Sequence, residues 1–84
     1  MNISTAVRKR VEELAKEKNL SLVELDRLAG LSYNTVYQSG SLKNGHYKML
    51  NMISIYCICR ALKMTLREFF SSSLFENVEY ERKR

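Results

Sequence analysis

Proline is absent from this chain of 84 residues, and glycine occurs only three times. With those breakers scarce and Ala, Leu, Glu, Lys and Arg recurring, composition favours an all-α domain with short connections. Long apolar runs are missing too. No segment approaches the roughly 18 apolar residues needed to cross a bilayer, and Met1 to Arg10 lacks the apolar stretch of a secretory signal. Cysteine is limited to Cys57 and Cys59, where a secreted domain this small would usually carry more. The expected location is therefore cytoplasmic, with no membrane partner.

The scarcity extends to groups that do chemistry. His46 is the single histidine and has no sequence-evident partner; a glycine-rich phosphate loop and a catalytic triad are also lacking, so an enzyme is not expected. Cys57 and Cys59 stand two apart on an expected helix, so their side chains diverge by about 160°. A structural zinc site takes four ligands, and no second Cys/His pair exists. Neither metal nor cofactor is expected, and both cysteines are assigned to packing.

What the chain does have is an ordinary globular balance, 45% hydrophobic with 27% charged residues, enough for one modest core. The net charge of +5 suits a polyanionic partner. Residues 1–48 hold eight Lys/Arg against five acids, residues 49–70 three against one, and the tail three against three. The excess thus sits on the body, expected as residues 1–70. Residues 71–84 read as a tail that packs on the domain or at a dimer seam.

Five helices follow from periodicity and punctuation. The first runs from about Ser4 to Lys18, with Val7, Val11, Leu14 and Ala15 in one stripe. Its basic cluster Arg8-Lys9-Arg10 reads as a solvated face. The second opens with a capping box, Ser21 with Glu24. It carries Leu22, Leu25, Leu28 and Ala29, and stops at Gly30, where the chain needs positive φ. Only Gly30 and Leu31 precede Ser32, the next N-cap, so two short helices must cross steeply.

The third helix, about Tyr33 to Ser39, points Val36 and Ser39 one way with Thr35 beside them. Tyr33, Asn34, Tyr37 and Gln38 share an arc of about 140° on the other side. Geometry leaves two readings open for the tyrosines, a reading face or partial burial against the fourth helix. For Asn34 and Gln38 the alternatives are recognition or a solvated polar face. Gly40 to Lys48 reads as a loop. The fourth helix, about Met49 to Lys63, buries Met52, Ile55, Cys59 and Leu62, and is widened by Ile53, Tyr56, Cys57 and Ile58. Thr65 with Glu68 starts a short fifth helix carrying Leu66, Phe69 and Phe70.

Residues 11–39 resemble the helix-turn-helix of lambda-repressor-like, Xre/Cro-type regulators. The resemblance rests on Val11-Glu-Glu-Leu14, Leu20-Ser21, Glu24-Leu25, Ala29-Gly30-Leu31-Ser32 and Thr35-Val36. Ser54 to Phe70 and Leu74-Phe75 are similar to the later part of small regulators of Gram-positive bacteria and their phages. The resemblance implies a five-helix DNA-binding domain whose third helix enters the major groove. Base-reading residues would be Tyr33, Asn34, Tyr37 and Gln38, since Asn and Gln pair bidentately with adenine and tyrosine touches a thymine methyl. Phosphate contacts would come from Ser21, Ser32, Thr35, Lys43, Asn44 and Lys48. Two departures stand out: Leu22 replaces a polar residue that usually helps orient the reading helix, and the loop at 43–48 is about three residues longer.

The surplus apolar width of the fourth helix, with Leu74, Phe75, Val78 and Tyr80, needs burial within the domain or in a two-fold dimer. The expected seam is Met52, Tyr56, Leu74 and Phe75. The function expected is a homodimeric regulator, a repressor, on double-stranded DNA. The alternative is a protein-interaction module of the phage-inhibitor or antitoxin type, for which exposed tyrosines are suited.

Overall fold

The structure, a computed structural model, describes residues 1–31, 35–39, 42–43, 46–47 and 49–79. Among the described residues five α-helices run in order: α1 (Ile3–Glu17), α2 (Leu22–Ala29), α3 (Thr35–Gln38), α4 (Met52–Ala61) and α5 (Leu66–Phe69). Between α3 and α4, two-residue strands β1 (Leu42–Lys43) and β2 (His46–Tyr47) pair antiparallel, with Leu42 opposite Tyr47 and Lys43 opposite His46. The segment read as a loop therefore contains a minimal ladder, while the fold remains all-α as expected.

Local chemistry sets the helix ends. Asn2 caps α1 by accepting the Thr5 N–H at 2.9 Å, which starts that helix one residue before the Ser4 expected from periodicity. Three helices close in the same way, with a left-handed residue followed by an N–H that reaches back five residues. Asn19 (φ 56°) precedes Leu20 N–H to the Ala15 carbonyl, Gly30 (φ 72°) precedes Leu31 to Asp26, and Lys63 (φ 57°) precedes Met64 to Cys59. A Cβ on Gly30 would meet nothing within 4 Å, so φ and not space requires glycine there.

One core joins Val7, Val11, Leu14 and Ala15 of α1 to Leu25, Val36, Leu50, Ile55, Ile58, Cys59, Leu62 and Phe69. α2 packs against both α3 and α4. Two expected core positions are corrected. Asn51 caps α4 by accepting the Ser54 N–H at 2.7 Å, so Met49 and Leu50 lie outside the helix and Leu50 turns inward. The buried face of α4 is Ser54, Ile55, Ile58 and Cys59, which leaves Met52 at its edge and 56% exposed. On α2 the inward arc runs from Leu25 through Ala29 and Leu22 to Asp26, and Leu28, about 60° beyond Leu25, is exposed.

The chain beyond α5 folds back. A 3-10 turn over Ser73–Phe75 lies against α1, and the Glu79 N–H donates to the Met1 carbonyl at 3.0 Å. The Phe75 ring sits 5.0 Å from Phe70 and 6.1 Å from Phe69, completing an aromatic trio.

Candidate nucleic-acid interface

α3 is four residues long, and isolated helices below about 12 residues are marginal in water. Its own hydrogen bonds cannot hold it, so its neighbours must. At its N-terminal end the Asp26 carboxylate of α2, itself buried, accepts the Val36 N–H at 2.8 Å. The other oxygen, Oδ2, is buried without a partner among the described residues. Val36 is fully buried beneath and anchors the helix by its side chain.

At the C-terminal end the partner is Arg8 of α1. Its Nη1 lies 2.6 Å from the Tyr37 carbonyl, 2.7 Å from that of Ser39 and 3.3 Å from that of Val36. The Nε donates to Glu12 at 3.1 Å, which fixes the guanidinium from behind. Ser39 is buried and its hydroxyl donates to the Val36 carbonyl at 2.6 Å. A negative group near the N-terminus and a positive one at the C-terminus both match the helix dipole.

Arg10 does for α5 what Arg8 does for α3. Its Nε and Nη2 donate to the carbonyls of Phe69 and Glu68 at 2.7 and 2.8 Å. The basic cluster of α1 is therefore not uniformly a solvated face: Arg8 and Arg10 are structural, and Lys9 between them is exposed. Neither Asp26 nor Arg8 was singled out from sequence. Asp26 carried one signal, an acid on an inward arc otherwise lined by Leu22, Leu25 and Ala29. Arg8 carried none for this role, because the carbonyls it meets lie 28 to 31 residues away.

The expected site residues fall as follows. Tyr37 is 58% exposed and Gln38 is exposed beside it, while Thr35, the first residue of α3, is half-buried. Ser21 is the N-cap of α2: its hydroxyl accepts the Glu24 N–H at 3.1 Å and its own N–H donates to the Glu24 carboxylate at 2.8 Å. Hydrogen bonding from the Ser21 backbone, and then from its side chain, holds the Glu24 carboxyl below its ordinary pKa. Lys43 lies in β1. Ser32, Tyr33, Asn34, Asn44 and Lys48 lie outside the described residues. Leu22 is half-buried against the core, so it packs where a polar side chain was expected.

Met52 and Tyr56 are exposed on α4, and the Arg60 guanidinium stands 6.0 Å from the Tyr56 ring centroid. Leu74 and Phe75 are half-buried. Cys59 is buried, which pushes its thiol pKa up, and Cys57 is half-buried. Among the described residues no group of three His, Cys, Asp or Glu side chains converges on a metal position, and no helix is long and apolar enough to cross a membrane.

Residues 10–72 match the family of Cro/C1-type helix-turn-helix DNA-binding domains. No curated protein matches the chain at a significant level. Among solved structures, the crystal structure of the prophage Lp1 protein 11 is similar, with a TM-score of 0.73 and 25% sequence identity. That likeness covers 93% of this chain and 100% of the prophage protein.

Proposed function

This chain belongs to the Cro/C1-type helix-turn-helix DNA-binding family, and on that premise we propose that it is a cytoplasmic, sequence-specific transcriptional repressor acting as a homodimer on an inverted repeat. The observation that carries this reading is α3, braced at both ends and presenting Tyr37 and Gln38 outward. Tyr33, Asn34, Tyr37 and Gln38 discriminate bases. Ser21, Ser32, Thr35, Lys43, Asn44 and Lys48 set register on phosphates, which position the protein without reading sequence. Residues 1–70 form the reading domain, and the following segment secures it by way of Phe75.

The second copy is seated on α4. At 100° per residue Met52, Tyr56, Arg60 and Ile53 span an arc of about 100° that runs outward from the edge of the buried face. Ile53 is 74% exposed. A two-fold dimer would set two reading helices about 34 Å apart, one turn of DNA. Of the residues expected at the seam, Met52 and Tyr56 suit it better than Leu74 and Phe75, because Phe75 already spends its ring on Phe69 and Phe70.

The same exposed stripe favours a second reading, a module that binds another protein. Selection of bound sequences from random duplexes at defined salt separates the two. A preferred inverted repeat, bound with a steep salt dependence, supports the regulator. Salt-insensitive binding to a protein, with no duplex preferred, supports the module. An Asn34→Ala, Gln38→Ala double variant that keeps the wild-type preference would refute the assigned reading face.

A further inference from the structure

We infer that Arg8 is a positioning residue for base reading, setting the pose of α3 without touching DNA; this rests on the DNA-reading function proposed above. Three observations carry it. The guanidinium is turned into the protein, its side chain only 22% exposed, so little of its charge faces a phosphate. Its Nη1 is committed to the carbonyls of Val36, Tyr37 and Ser39 and its Nε to Glu12. The helix it closes is only four residues long.

The last carbonyls of any helix lack partners within it. Here the carbonyls of Tyr37 and of Ser39 just past the helix meet one cation borne by a 15-residue helix, which also approaches the Val36 carbonyl already accepting from Ser39, while Asp26 holds the opposite end from α2. α3 is thus suspended between α1 and α2 by a charge of matching sign at each terminus. Leu22 packs into the core instead of reaching toward α3 with a polar tip, so the bracing falls to Arg8 and Asp26. A displacement of about 1 Å is enough to spoil bidentate base contacts, whose donors and acceptors must meet within roughly 2.7–3.2 Å. Phosphate contacts made by flexible lysines tolerate it.

The test uses the full chain with Arg8→Met, which keeps the stem but removes the donors, and Arg8→Lys, which keeps the charge with a different geometry. Dissociation constants are measured on the selected duplex and on a scrambled one across a salt series, at a temperature where circular dichroism shows each variant folded. We expect Arg8→Met to lose roughly ten- to a hundredfold on the selected duplex, the size of one or two base contacts. Affinity for the scrambled duplex and the salt slope stay at wild-type values, and Arg8→Lys recovers part of the discrimination.

Equal weakening on both duplexes, with the salt slope flattened by about one, would make Arg8 a phosphate contact and overturn the inference. Unchanged discrimination overturns it as well. If wild-type protein itself prefers no duplex, the DNA-reading function fails and the brace is judged alone by amide hydrogen exchange in α3. Faster exchange at Ser39 in Arg8→Met upholds the brace, and wild-type exchange there refutes it.

Discussion

The Asp26 carboxylate accepts the Val36 backbone N–H at 2.8 Å across the turn that separates α2 from α3. Both residues are buried, so this bond joins the two helices where water cannot substitute. Removing one partner of such a bond leaves the other unpaired, at about 1–3 kcal/mol. Asp26→Ala is expected to lose stability in that range by urea denaturation. Asp26→Asn keeps an acceptor on the same stem and should lose less. Equal losses for the two variants would show that the charge, not the accepted bond, matters.

The left-handed closures of α2 and α4 make an opposed pair of predictions. Gly30 sits at φ 72° with open space around it, and Lys63 at φ 57°. A Cβ in that region costs roughly 1–2 kcal/mol, partly offset by the greater unfolded-state freedom of glycine. Gly30→Ala should therefore destabilise, and Lys63→Gly stabilise, each by about 0.5–1 kcal/mol. For a domain this size the thermal midpoint then moves by roughly 2–8 °C, in opposite directions for the two variants. A lower midpoint for Lys63→Gly would contradict the strain argument.

Acid should loosen both capping boxes. Backbone and side-chain hydrogen bonds from Ser21 lower the pKa of Glu24, and those from Thr65 lower that of Glu68, from an ordinary 4.5. A depressed folded value means stability that is present above the unfolded pKa and lost as pH falls through the folded one. Thermal midpoints are thus expected to hold from neutral pH down to about 4.5 and to decline below it. Because glutamine also serves in a capping box, a Glu24→Gln, Glu68→Gln double variant should show a shallower acid decline. Parallel curves for the two proteins would remove these carboxylates as the cause.

The apolar stripe on α4 is testable without disturbing the core. Ile53 is 74% exposed, so Ile53→Glu should change folding stability by no more than about 0.5 kcal/mol. If the stripe seats a second copy, sedimentation should show a dimer for the wild type and a monomer for the variant. Affinity for a two-half-site duplex should fall with it. A variant that remains dimeric would place the seam elsewhere.

Much of the fold was legible because its signals are short. Ser21 with Glu24, and Thr65 with Glu68, form their reciprocal bonds three residues apart. The stop at Gly30 is a one-residue conformational requirement, and Val7, Val11, Leu14 and Ala15 declare their face by spacing alone. The inward direction of Val36 and Ser39 was likewise fixed by the helical repeat, and both are buried. Errors arose where a local rule met a competing neighbour. Met52 fits a helical stripe, but the Asn51 cap starts α4 late and leaves Met52 at the edge of the buried face. Leu28 fits too, yet the inward arc of α2 is turned toward Asp26.

The sequence by itself determined that this chain is helical, where most helices begin and end, and where the helix-turn-helix lies, since each depends on residues within a turn or two of one another. Tertiary structure alone decided how α3 is held. Arg8 meets it from 28 to 31 residues away, and Arg10 reaches α5 across 58 and 59. No periodicity or cap encodes such meetings. They exist because a four-residue helix cannot satisfy its own terminal groups, and only the packed chain brings a cation to its carbonyls and a carboxylate to its amide.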